Sequence, residues 1–105
     1  MHSNTSDVDI TKNIKIIDWL KAELVSSVGA LLKAVVKGSE ELILDCLVGI
    51  IITAYLLGKR LGITFARIDM NIKSRLRDNT AKEHQVEKWY GDLSSLLKHM
   101  EDHRL

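Results

Sequence analysis

The sequence predicts an all-α fold, a helical bundle completed by oligomerisation to a dimer or tetramer, and three observations carry that expectation. The chain has no proline in 105 residues, so nothing forbids long helices. Apolar residues recur at helical spacing over most of its length. One segment, Leu42 to Leu57, is apolar almost all the way round, and a helix of that kind must be covered on every side. The totals agree: 46% hydrophobic and 28% charged residues suit one globular domain, expected over residues 11–105 behind a flexible tail at 1–10. A net charge of +1 gives no reason to expect DNA or an anionic membrane as a partner.

The first helix is expected from Thr11, a plausible N-cap, to Lys37, with Gly38 as its stop. Its apolar residues Ile10, Ile14, Ile17, Leu24, Val28, Leu31 and Val35 form one stripe that Lys21 alone interrupts; Lys12, Asp18 and Lys33 lie opposite. The second helix starts at Ser39, with Glu40 and Glu41 in its first turn and Lys59 and Arg60 before Gly62, charges that suit the two ends of the helix dipole. Its central run, Cys46 to Gly58, is bracketed by Asp45 and Lys59 and is shorter than the roughly 20 residues of a membrane span, so a buried core helix is expected. Two copies of this helix covering each other is the ordinary solution for such an element.

The third helix begins near Thr64, with Phe65, Ile68, Ile72 and Leu76 as its inner stripe. The pattern weakens at Asp78-Asn79-Thr80 and leaves open whether the helix continues. A helical extension over about 81–105 follows, carrying Val86, Trp89, Leu93, Leu96, Leu97 and Met100, with Asp92 as a cap for the last helix. The polar N-terminus MHSNTSDVDI has no apolar core, so no secretory signal is expected. Cys46 stands alone in an apolar pattern, which reads as a small buried residue in a cytoplasmic, reducing compartment; a catalytic thiol is the alternative. Asp45 is expected at the edge of the bundle, paired with a lysine or arginine, because a buried unpaired carboxylate is costly.

Residues 24–62, LVSSVGALLKAVVKGSEELILDCLVGIIITAYLLGKRLG, resemble the paired-helix core of the MazG-like, all-α nucleotide pyrophosphohydrolases. In that family an ExxE on one helix faces an ExxD on the next, and together they hold magnesium against a nucleotide polyphosphate. By the resemblance the ExxE falls on Ser27 and Ala30 and the ExxD on Cys46 and Gly49, so all four carboxylates are missing. Fifteen residues separate Ala30 from Cys46, which fits the family's interval, and Lys37-Gly38 and LGKRLGI at 57–63 hold the register. Moving by one brings Asp45 to a ligand position but leaves Ser26, Gly29 and Val48 there. Magnesium takes oxygen ligands, whereas these positions offer a hydroxyl, a soft thiol and two groups with no side-chain donor.

The stretch Lys73-Ser74-Arg75-Leu76-Arg77-Asp78-Asn79 is similar to the family's basic-plus-Asn segment, which implies that Arg75 and Asn79 are retained phosphate-contacting positions beside Lys73. Arg binds phosphate bidentately without a metal. Residues 59–77 carry six basic residues against Asp69 alone. Solvated surface charge is the alternative for these residues, and close helix packing the alternative for Gly29, Ala30 and Gly49. Trp19 either floors a base-binding pocket or fills an interface between copies. EHQVEKWYGDLSSLL resembles a small group of MazG-like proteins of Bacillus-type bacteria and their phages, and is expected to close over the cavity or cover a neighbour's second helix. His99 and His103, four apart, read as an exposed tail rather than a metal clip.

The resemblance and the lost acids together imply a non-catalytic MazG-like protein, with no cofactor or metal, that binds a nucleotide-derived anion as a sensor or sequestering sponge. Ser27, Ala30, Cys46, Gly49, Lys73, Arg75, Asn79 and Trp19 are its candidate ligand-binding residues. Two alternatives stay open: an active magnesium-dependent pyrophosphohydrolase using Glu23, Glu41 and Asp45, and a structural or regulatory module that binds another protein.

Overall fold

The computed structural model describes residues 2–81, 88 and 91–102, and every regular element among them is a helix. Four follow in order: α1 (His2–Lys37), α2 (Glu40–Arg60), α3 (Phe65–Ala81) and α4 (Asp92–Asp102). They fall into two compact units, Met1–Phe65 and Ala66–Leu105. Val86, Trp89, Tyr90 and His103 lie outside the described residues, and with them seven of the fifteen residues, 83–97, expected to close over the cavity or cover a neighbour.

The first unit is a helical hairpin whose turn is fixed by two residues. Gly38 takes the left-handed conformation at φ 71°, and the N–H groups of Gly38 and Ser39 both donate to Ala34 O, at 2.9 and 3.4 Å. Ser39 then caps α2 from an extended backbone, its Oγ accepting the Leu42 N–H at 3.4 Å. The chain therefore reverses at once and α2 returns antiparallel along α1. At the far end Asn13 Nδ2 donates to Arg60 O at 3.2 Å. Glu40 and Glu41 occupy the first turn of α2, and Lys59 and Arg60 the last.

The start of α1 departs from expectation. The helix begins at His2 rather than at Thr11, so the stretch read as a tail is helical. Thr11 is no N-cap: its hydroxyl donates to Asp7 O, one turn back, at 2.8 Å. Such a bond satisfies a threonine inside a helix as well as at its end.

The seam between α1 and α2 is also shifted. On α1 the covered stripe is Asn13, Ile17, Leu20, Leu24, Ser27, Leu31 and Ala34, with Leu20 and Ala34 only 2% and 3% exposed. Ile17, Leu24 and Leu31 were expected there, but Ile10, Ile14, Val28 and Val35 face outward. Two adjacent stripes on α1 both satisfy an alternating 4-then-3 spacing. The buried one replaces Lys21 by Leu20, so no charge enters the seam. From α2 come Ile43, Cys46, Ile50, Thr53 and Leu57, Thr53 being the most enclosed.

Only one stripe of α2 is covered in this chain. Leu44, Val48, Ile51 and Ile52 stand exposed on the other side. The helix is 21 residues long and contains an 18-residue window of mean hydropathy 2.0, long and apolar enough to cross a membrane by length and composition. That corrects the estimate made from the shorter run Cys46 to Gly58.

In the second unit, Ile68 and Ile72 are half-buried and Leu76 is buried, as the inner stripe of α3 requires. Phe65, which belongs to the first unit, meets Tyr55 edge-on with ring centroids 6.0 Å apart. α3 runs on through Asp78-Asn79-Thr80 to Ala81. α4 begins at Asp92, directly after Gly91 in the left-handed conformation at φ 67°. Arg77 reaches across to Glu101 in a 2.8 Å ion pair that joins α3 to α4.

Candidate functional site

Four of the candidate residues lie on the α1–α2 hairpin. Ser27 sits on the covered stripe of α1, half-buried, directly opposite Gly49 of α2: a Cβ built on Gly49 would lie 3.9 Å from Ser27 Oγ. Cys46, half-buried and unpaired, falls one turn before Gly49 on the same helix. Ala30 is exposed and lies on the flank of the seam. The structure thus brings Ser27, Cys46 and Gly49 to the inside of the hairpin and leaves Ala30 outside.

The chemistry available there is neutral. A hydroxyl, a thiol and a bare α-carbon cannot take the place of the carboxylate oxygens a magnesium ion demands. Among the described residues no three His, Cys, Asp or Glu side chains come together to hold a metal ion. Magnesium, which the resemblance calls for at this place, does not fit these side chains. Glu23, Glu41 and Asp45, the acids an alternative ligand set would draw on, are all exposed. Asp45 needs no basic partner because it remains in water, contrary to the pairing expected for it.

The second cluster lies on α3. Asn71, Ser74, Arg75, Asp78 and Asn79 follow one another at the spacing of a single helix face and line an open polar recess of about 350 Å³. Arg75 and Asn79, the two positions expected to contact phosphate, are therefore brought together. Asn71 Nδ2 donates to Arg67 O at 2.8 Å, which fixes one wall. Asn71, Ser74 and Asp78 complete the recess without having been singled out as ligand contacts. The one available clue was their common spacing with Arg75 and Asn79.

Two other basic residues are placed elsewhere. Lys73 is half-buried and does not line the recess, and Arg77 is committed to Glu101. The basic stretch thus presents one guanidinium to the recess. Trp19 stands 62% exposed beside the buried Leu20, so it floors no pocket within the hairpin. His99 is exposed on α4, and its expected companion His103 lies outside the described residues.

Chemically, the two clusters differ in kind. The hairpin offers close packing of small groups and no charge. The face of α3 offers a bidentate cation, amide and hydroxyl groups that donate or accept, and one carboxylate. Comparison with protein families finds that the MazG-like family matches residues 10–93 of the chain. Comparison with curated proteins and with solved structures returned no match.

Proposed function

The chain belongs to the MazG-like family, and on that premise we propose that it is a non-catalytic member that binds a nucleotide-derived anion without metal. Membership relates it to the nucleotide pyrophosphohydrolases. One observation carries the proposal beyond that relation: Ser27 faces Gly49 across the seam where the resemblance puts opposed carboxylates. Without those acids there is no metal-held charge to activate a water, and no carboxylate cluster to repel a phosphate.

Arg75 takes over recognition. Its guanidinium accommodates two phosphate oxygens, and Asn79, Asn71 and Ser74 lie on the same face to orient them. Asp78 in the same recess selects for a ligand that also carries a hydroxyl or amino donor, as a nucleoside does. A protein that holds such a molecule and does not turn it over acts as a sensor or a sequestering sponge. The reading includes a homo-oligomer formed through α2, whose outer face is apolar and uncovered in one chain, and a cytoplasmic setting in which Cys46 stays reduced.

Isothermal titration calorimetry in EDTA tests the proposal, using a panel of nucleoside mono-, di- and triphosphates, cyclic nucleotides and ADP-ribose derivatives. Saturable binding of at least one, lost in Arg75→Ala, with the ligand recovered intact, is the expected result. No binding of any panel member at millimolar concentration overturns it. Magnesium-dependent release of pyrophosphate from a nucleoside triphosphate overturns the non-catalytic part alone.

A second reading, a structural or regulatory protein-binding module, is favoured by the place of Ser27, Cys46 and Gly49 inside the α1–α2 seam. There the small residues serve packing and nothing else. Under that reading Ser27→Ala and Arg75→Ala both leave the nucleotide panel unbound, as the wild type does.

A further inference from the structure

The open end of the hairpin collects basic residues that the small net charge conceals. Lys12 and Lys15 lie in the first half of α1, and Lys59 and Arg60 in the last turn of α2. The 3.2 Å bond from Asn13 Nδ2 to Arg60 O sets these distant stretches side by side. Among the described residues none of the four makes an ion pair, whereas Lys21, further along α1, holds Asp18 at 3.6 Å. Lys59 turns instead to the Phe65 ring, with Nζ 5.1 Å from its centroid.

Beside these cations the surface is apolar. At 100° per residue Val8, Lys12, Lys15 and Trp19 fall within about 60° of one another on α1. Ile16 lies between that face and the seam, on the same line of α1 as Ser27. Leu56 and Arg60 lie on the line of Gly49 along α2. Because Ser27 meets Gly49 across the seam, Ile16 and Leu56 flank it on that same side, nearer the open end. Trp19, Ile16 and Leu56 are 62%, 43% and 41% exposed, an apolar centre with Lys12, Lys15 and Arg60 around it. Asp9 and Glu23 are the acids that bound it along α1.

We propose that this patch docks the hairpin onto an anionic lipid surface. Trp19, Ile16 and Leu56 enter the headgroup boundary, and Lys12, Lys15 and Arg60 rest on lipid phosphates. A tryptophan settles at such a boundary because its ring is apolar while its N–H finds a polar partner. Long basic side chains keep their stems against apolar surface and their charges at the headgroups, where a negative leaflet attracts them. The apolar surface continues along α2 through the exposed Ile52, in a helix of membrane-compatible hydropathy. Single-stranded nucleic acid is the competing occupant of cations beside an exposed tryptophan. It fits less well, because bases stack on aromatic rings and Ile16 and Leu56 offer none, whereas acyl chains accept aliphatic and aromatic groups alike. None of these residues lines the recess on α3, so the inference stands apart from the nucleotide-binding reading.

Co-sedimentation of the full-length chain with lipid vesicles gives the test. Mixed phosphatidylglycerol and phosphatidylcholine vesicles should pellet the protein, and phosphatidylcholine alone should hold on the order of tenfold less. Raising salt from about 0.1 M to about 1 M should weaken binding to the charged vesicles. Lys12→Glu with Lys15→Glu should lower that binding on the order of tenfold, while Lys33→Glu with Lys37→Glu, at the turn end of the same helix, should leave it within about twofold. In a Trp89→Phe background, which leaves Trp19 as the one tryptophan, emission should shift to the blue with charged vesicles alone.

Equal binding to both vesicle types, binding to neither, or equal loss from the two lysine pairs overturns the proposal. So does Trp19 emission that charged vesicles leave unmoved. A mixed-sequence single-stranded oligonucleotide that binds through Lys12 and Lys15 while vesicles do not would assign the patch to nucleic acid instead.

Discussion

The α1–α2 hairpin and the polar face of α3 make opposite use of helical spacing. In the hairpin, side chains recurring every three or four residues are small or aliphatic, and the seam encloses Leu20, Ala34 and Thr53 with no charge in it. On α3 the same spacing gathers Asn71, Ser74, Arg75, Asp78 and Asn79 around an open recess. Of the four positions that the resemblance ties to metal binding, Ser27, Cys46 and Gly49 lie inside the hairpin and Ala30 outside it, while Arg75 and Asn79 share the recess on α3. Under the proposed function, stability and recognition are therefore separable in this chain, and substitutions should affect one without the other.

The largest effect expected is on the hairpin. Leu20→Ala removes a side chain that is almost wholly enclosed and should cost about 2–5 kcal/mol in chemical denaturation. Val36→Ala, on the exposed side of the same helix, should stay within about 0.5 kcal/mol. Equal costs at the two sites would mean that the seam is misassigned.

Arg75→Ala sharpens the comparison from the other side. Loss of a guanidinium that bonds a charged group should weaken ligand binding by about 1.5–3 kcal/mol in calorimetry, with the unfolding midpoint unchanged. A large fall in stability would make Arg75 a structural residue instead.

Smaller effects separate two glycines of the hairpin. Gly38→Ala places a Cβ at φ 71° and should destabilise by about 1 kcal/mol. Gly49→Ala puts its methyl 3.9 Å from Ser27 Oγ, an ordinary contact, and should stabilise α2 by up to about 1 kcal/mol. Destabilisation at Gly49 would show that the seam tolerates nothing larger than hydrogen there. The smallest effect belongs to Arg77→Ala: its pair with Glu101 is exposed, so the loss should be about 0.2–1 kcal/mol and fade with added salt.

How much was legible follows from how local each determinant is. The turn at Gly38-Ser39 and the charged ends of α2 could be read directly, because caps and dipole charges act over one helical turn. The inner stripe of α3 was legible at Ile68, Ile72 and Leu76, since one helix face is enough to define it, though Phe65 is exposed; Arg75 and Asn79 were singled out by the resemblance alone. The start of α1 was not, because Thr11 can bond its own helix as readily as cap it. Nor was the choice of stripe on α1, because Ile14 and Ile17, like Leu24 and Val28, lie on adjoining faces and either can be buried.

By itself, then, the sequence determined the helical class, the hairpin turn and the neutral character of Ser27, Ala30, Cys46 and Gly49, since these follow from residue type and short-range spacing. Only tertiary structure decided that Leu20 rather than Lys21 enters the seam, that Ala30 stays outside it, and that Arg77 is spent on Glu101 while Arg75 faces the recess. Those outcomes depend on which faces meet, and that is settled by the cost of burying charge against the gain of burying apolar surface across two helices at once.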